Sequence, residues 1–367
     1  MTSPTPFVAA ARVVTDAVTA GAFPGACVEV GRGAAPLWRQ SFGRLSNEAD
    51  AVAVTVDTVY DLASLTKVLA TTPVVMQLVR DGCVGLDDPV GRWLPLWRGP
   101  DREHVTVEDL LAHASGLTPH LPFYRDHAGR AEFERAICTL PLEYEPRSRA
   151  VYSDLGFMLL AFLAESAAAV PFEQLVGRLL GSLGEPVPLF RPDQATRARC
   201  APTGVDPWRG RLLVGEVNDQ NAWALGGVAG HAGLFGTAAA VGICARAMLR
   251  GLRGAGTPLG PPALFARFAR RTRVPGSSRA LGWDTMLPTS SCGTRLSGTA
   301  IGHTGFTGTS LWIDWEADAY VVLLSNRVHP TADNDAILEV RPAFHDAAAQ
   351  ALADLGPAAT GPPASLM

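Results

Sequence analysis

The chain has 367 residues, 47% of them hydrophobic and 18% charged, so it reads as a globular protein with material for two lobes. A net charge of −4 excludes the electrostatic footprint of a nucleic-acid binder. Six scattered cysteines without a C-x-x-C pair argue against a zinc or redox site, and no phosphate-binding glycine loop precedes a lysine, so no metal or cofactor is expected.

The start, Met1 to Pro6, lacks the basic and apolar regions of a signal peptide, and no apolar run is long enough for a membrane span. The expected location is therefore cytoplasmic. Phe7 to Ala20 has helical apolar spacing. Ala26–Val30 and Leu37–Phe42 flank a Gly-Arg-Gly turn and read as a hairpin, and Thr58–Tyr60 as a short third strand. A helix is expected from Ser64 to Val79, kinked at Pro73 about one turn past Lys67. Short helices follow at Thr106–His113, Arg130–Cys138 and Leu155–Ala169. Residues 186–207 are rich in Pro and Arg and read as irregular surface loop. Helices return at Ala238–Arg250 and Pro262–Arg271. Three strands at Ala300–Thr304, Thr309–Asp314 and Tyr320–Ser325 precede a last helix over Asp333–Leu355 and a frayed tail.

Strands near both ends with helices between them predict an α+β (α/β) class fold. One antiparallel β-sheet is built from both termini and flanked by helices, with a mostly helical second lobe. The expected division is 1–60 plus 278–367 for the sheet lobe and 61–277 for the helical one, with the active site in the cleft between them.

Lys67 is the only lysine among 31 basic side chains, and it lies three residues after Ser64. Positions i and i+3 share a helix face, so Ser64 Oγ and Lys67 Nζ can meet as nucleophile and activator. A desolvated lysine can lose its proton near neutral pH, which arginine cannot. An ordinary surface lysine beside an unrelated serine fits this segment equally well. Tyr152, one of five tyrosines, opens a helix at Ser153-Asp154 and reads as a proton carrier or as a core aromatic. His303-Thr304-Gly305-Phe306-Thr307-Gly308 places polar groups between glycines at a strand end, where a substrate backbone can approach or a hairpin can simply turn.

Together, Ser64-Leu65-Thr66-Lys67, Tyr152-Ser153-Asp154 and His303-Thr304-Gly305 resemble the S-x-x-K, Y-x-N and K/H-T-G motifs of the serine β-lactamase and penicillin-binding-protein superfamily. Leu110-Leu111-Ala112-His113-Ala114-Ser115-Gly116-Leu117 is similar to a segment of its class C β-lactamase, DD-peptidase and esterase branch. The resemblance spans about residues 20–350. It implies Ser64 as acylated nucleophile, Lys67 as general base and Tyr152 as proton shuttle, with the N–H groups of Ser64 and Phe306 as the oxyanion hole. His303, Thr304, Gly305 and Asp154 would contact substrate.

Asn218 to Phe235 and Ser325 to Pro330 resemble a subgroup containing exo-N-acetylmuramyl-L-alanine amidases, although relatives often carry His where Asn218 stands. These segments add Asp219, Asn221, His231 and Arg327 as pocket candidates. Two departures stand out. Asp154 replaces the usual Asn, and His303 replaces the Lys of true β-lactamases, leaving no permanent cation for a carboxylate. The implied function is a serine hydrolase that acts through an acyl-enzyme on an amide or ester, such as a small-molecule or muropeptide substrate. A carboxylesterase or weak β-lactamase is the alternative within the class, and a non-catalytic sensor of wall fragments or β-lactams the alternative outside it.

Overall fold

The structure is a computed structural model, and it describes residues 6–356. The expected tail beyond Gly356 lies outside the described residues. Helix α1 spans Val8–Thr19 and is followed by strands β1 (Gly25–Arg32), β2 (Ala35–Gly43) and β3 (Tyr60–Asp61). A wide π-turn over Lys67–Thr71 runs into α2 (Thr72–Arg80). The helical middle continues with α3 (Val107–Leu111), α4 (Gly129–Thr139), α5 (Asp154–Ala168) and α6 (Phe172–Gly181). Next come β4 (Leu189–Phe190), α7 (Gln194–Arg197), β5 (Pro202–Asp206), β6 (Arg211–Val214), α8 (Gln220–Ala224) and β7 (Leu234–Gly236). Helices α9 (Ala238–Leu252) and α10 (Pro262–Ala269) precede β8 (Asp284–Thr285), β9 (Ile301–Thr304), β10 (Ser310–Asp314), β11 (Ala319–Ser325) and α11 (Ile337–Asp354).

The main sheet has the order β2-β1-β11-β10-β9-β8, with every neighbouring pair antiparallel. Chain start and chain end therefore meet at the β1–β11 pair. Alternate residues on these strands enter different cores, as the two-residue period of a strand demands. Val28, Val30, Val321 and Leu323 pack with Phe7, Val14, Phe344 and Leu352 of the terminal helices. Cys27, Tyr320, Val322 and Leu324 point the other way, into the large core that continues through α2, α5 and α9.

Helix α9 falls inside the range expected for the helical lobe, yet it packs on β1, β10 and β11. Gly242 permits this approach, since a Cβ there would lie 1.8 Å from Glu29 Oε1. Glu29 is fully buried on this face and is held by Arg39 (2.5 Å), Arg246 (2.9 Å) and the Tyr320 hydroxyl (2.7 Å). The third strand pairs not with the main sheet but with β7, which also pairs with β4. Residues 186–207 are less irregular than expected: β4, α7 and β5 all form there. Their apolar content is too short in each piece for periodicity to register. Among the described residues no single helix is long and apolar enough to cross a membrane.

Candidate active site

The nucleophile candidate is positioned by a tight turn after β3. Asp61 Oδ1 accepts from the Ala63 N–H (2.8 Å), and Oδ2 accepts from the Asn218 N–H (2.7 Å). Ala63 is held at φ +47°, a left-handed conformation costly for a residue with a Cβ, directly before Ser64. Gly305 packs behind this turn. A Cβ at Gly305 would lie 2.6 Å from the Leu62 carbonyl and 2.1 Å from Thr309 Oγ1. Its small size brings the end of β9 to the Ser64 turn, and it is not among the residues that line the two cavities described below.

Lys67 begins the π-turn. The Thr72 N–H donates to the Lys67 carbonyl five residues back, and Pro73 has no N–H with which to restore the tighter α pattern. The side chain is 0% exposed. Nζ lies 2.9 Å from Ser64 Oγ, 2.8 Å from Asp154 Oδ1 and 3.1 Å from the His231 carbonyl. An ammonium has three N–H donors, and three acceptors surround it. Burial and the neighbouring charges act on Lys67 in opposite directions. Burial does favour the neutral amine, but the charge of Asp154, with Tyr152 next, outweighs it and raises the pKa above the ordinary lysine value. For Asp154, burial pushes its pKa up, but Lys67 and His120 more than reverse this and hold the carboxylate ionised.

Tyr152 stands beside this pair. Its ring centroid is 4.8 Å from Lys67 Nζ, 4.7 Å from the His113 ring and 5.7 Å from the His303 ring. His113 Nδ1 accepts from the Ser153 N–H at 3.0 Å, which fixes the chain where Tyr152 leaves it. His303 is 3% exposed, and its Nδ1 is 2.7 Å from the Thr304 carbonyl. Burial, then Arg279 and Lys67, depress the His303 pKa well below the usual value, so it is neutral.

Two cavities meet at Ser64, Tyr152 and Phe306. The larger, about 730 Å³, is walled by His120, Asp154, Asn218, Asp219 and His231 among others. The smaller, about 270 Å³, is lined by Arg279, His303 and Thr304. Arg279 escaped the sequence reading. It follows a Pro-Gly-Ser-Ser turn with no motif around it, and its guanidinium lies 5.2 Å over the Tyr152 ring with no carboxylate partner among the described residues. A permanent cation therefore stands beside Thr304 after all, supplied from outside the K/H-T-G position. His120, whose Nδ1 is 3.8 Å from Asp154 Oδ2, is a second omission.

The remaining candidates divide. The backbone N–H groups of Ser64 and Phe306 have no acceptor among the described residues, as an oxyanion hole requires. Asp219 and His231 form a 2.9 Å pair in the wall of the larger cavity. Asn221 and Arg327 line neither cavity. Asn221 is fully buried and ties Tyr124 and Leu121 together with its amide (2.9 and 2.8 Å). Arg327 donates to the Phe306 carbonyl at 2.9 Å and lies over its ring, holding the Phe306 loop. No group of three or more His, Cys, Asp or Glu among the described residues is arranged to hold a metal ion.

Comparison with known proteins agrees with this architecture. The Beta-lactamase family profile matches residues 10–343, and the chain belongs to that family of hydrolases. A Salmonella gallinarum protein provisionally named D-alanyl-D-alanine carboxypeptidase is 32% identical over 320 residues, covering 78% of this chain and 73% of that one. Among solved structures, EstCE1, a hydrolase with promiscuous acyltransferase activity, superposes with a TM-score of 0.75 at 21% identity, covering 93% of this chain and 98% of that one. The octameric penicillin-binding protein homologue from Pyrococcus abyssi superposes at 0.74 and 21% identity, covering 95% and 77%.

Proposed function

We propose that this chain is a serine hydrolase that forms a covalent acyl-enzyme on Ser64 and cleaves an amide or ester whose leaving group carries a carboxylate. Short peptidoglycan-derived peptides are the natural candidates, in keeping with the carboxypeptidase name of the Salmonella relative. The observation that carries the reading is the buried Lys67 side chain, its Nζ 2.9 Å from Ser64 Oγ at the junction of two cavities.

In the proposed cycle, Ser64 Oγ attacks the substrate carbonyl carbon while its proton passes to the Tyr152 oxygen. The hydrogen of Tyr152 goes to the leaving nitrogen or oxygen as the carbon–heteroatom bond breaks. The N–H groups of Ser64 and Phe306 hold the oxyanion, and Lys67 keeps Oγ oriented and favours its developing negative charge. Water then attacks the acyl carbon, with Tyr152 relaying its proton back to Oγ. Arg279 and Thr304 hold the leaving group's carboxylate in the smaller cavity.

The test is labelling by a fluorophosphonate probe. The wild type labels, Ser64→Ala does not, and Lys67→Arg slows labelling on the order of 100-fold, because a guanidinium does not fit a side-chain space with no exposure. A wild type that stays unlabelled, or equal labelling of Ser64→Ala, removes the acyl-enzyme reading. Release of a carboxylate-terminated leaving group from peptides, compared with nitrophenyl esters and nitrocefin, then ranks the substrates.

A further inference from the structure

The two cavities that meet at Ser64 differ in charge as well as size. Four aspartates (Asp154, Asp206, Asp219 and Asp333) line the larger one, and no lysine or arginine does. Asp206 is neutralised by Arg209 at 2.7 Å. Asp154 gives Oδ1 to Lys67, and its Oδ2 faces His120 Nδ1 at 3.8 Å, a histidine whose pKa it raises. Asp219 accepts from the Ala222 N–H (2.7 Å) and pairs with His231 Nε2 (2.9 Å), both through Oδ1, which leaves Oδ2 without a partner among the described residues. His231 is 1% exposed in the same wall, and its Nδ1 also lacks a partner. This wall therefore presents acceptors and negative charge close to the nucleophile. The smaller cavity carries Arg279 together with one carboxylate, Asp284, whose Oδ1 accepts from the Ser278 hydroxyl (2.6 Å) and the Thr285 N–H (3.0 Å), so it holds one cation against one anion while the larger holds several carboxylates.

We infer that the acyl portion of the substrate carries a free, positively charged amine, received in the larger cavity between Asp154 and Asp219. This inference rests on the acyl-enzyme reading and narrows it. Chain polarity supports it independently of either charge alone. In a peptide the acyl part is the amino-terminal part and the leaving part is the carboxyl-terminal one. An ammonium in the acidic cavity and a carboxylate at Arg279 therefore orient the scissile carbonyl the same way over Ser64. The volumes agree: about 270 Å³ accepts one small amino acid, and about 730 Å³ accepts a longer amine-bearing portion. Blocking the amine removes the charge and adds a carbonyl oxygen facing two carboxylates, which is unfavourable on both counts.

The experiment compares short alanine-based peptides and aminoacyl thioesters, in both configurations, with their N-acetylated counterparts. It uses the full chain and also measures protection against fluorophosphonate labelling. Free-amine compounds are expected to be turned over, or to protect, about 10- to 100-fold better than the acetylated ones, the range for a hydrogen-bonded charge. Asp219→Asn retains a capping side chain for α8 and is expected to bring that ratio down toward one, whatever happens to the rate shared by both substrate forms. Equal or better use of acetylated substrates by wild type overturns the inference while leaving the acyl-enzyme reading in place. So does an unchanged ratio in a folded Asp219→Asn. Absence of labelling in wild type overturns both.

Discussion

Lys67 and Asp154 determine each other's charge. Burial alone would lower the lysine pKa, but the carboxylate 2.8 Å away reverses the direction, and the lysine in turn holds the carboxylate ionised. The family's usual Asn at this position would donate and accept without charge; Asp only accepts, and it keeps the amine protonated. Asp154→Asn removes the first cause that raises the lysine pKa, so burial takes over and lowers it. The alkaline limb of the labelling rate is then expected to move to lower pH by about one unit or more, because the ammonium orients Oγ. A variant that labels faster than wild type at neutral pH would instead identify neutral Lys67 as the base. His303 takes no part in this titration, since burial and Arg279 keep it neutral through the physiological range.

The element that matters most is the turn between β3 and the π-turn, clamped from three sides. Asp61 bridges it to Asn218, Thr307 Oγ1 donates to the Asp61 carbonyl at 2.7 Å, and Gly305 lets the Leu62 carbonyl sit against the end of β9. Gly305→Ala is expected to cost about 1–3 kcal/mol through overpacking. It should also slow labelling of the folded protein on the order of 10-fold, because the Ser64 turn must move. Urea unfolding and labelling of the same sample check this. A stability loss with unchanged labelling would separate the glycine from the nucleophile. Sequence periodicity located α1, the β1–β2 hairpin, α5, α9 and the last three strands, since each has enough length to repeat its apolar pattern. It missed α6 and the short elements β4 and α7. It also placed the chain's third strand beside Ser64 but not its partners, because strand pairing is a long-range choice.

At the scale of the whole molecule, three buried histidines set the response to acid. His113, His303 and His345 are at most 3% exposed, and burial lowers all three pKa values, that of His345 to about 3. Unfolded, each titrates near 6.5. Below that pH the unfolded chain binds protons that the folded one refuses, so stability is full above about pH 6.5 and falls as the pH drops toward the folded values. Asp61 opposes this. Burial raises its pKa to about 6, so lowering the pH from about 6 toward 3.8 relieves the cost of its buried charge. His120, raised by Asp154, also favours the folded state as it protonates. The net expectation is a loss of about 3 kcal/mol between pH 7.5 and 5.5. Urea midpoints across that range check it, and a stability that rises on acidification would contradict it.

Chain order alone determined the three motifs, the meeting of both termini in one antiparallel sheet and the closeness of Ser64 to Lys67. All of these follow from local spacing or from alternation that records a buried face. Only the tertiary structure decided that Asp154 sits 2.8 Å from Lys67 and pulls its pKa up, that Arg279 places a cation in the cavity beside His303, and that Asn221 and Arg327 lie outside both cavities. Charge state is a contest between burial and neighbours far apart in sequence, such as residues 67, 154 and 231. That contest is settled only when packing brings them together.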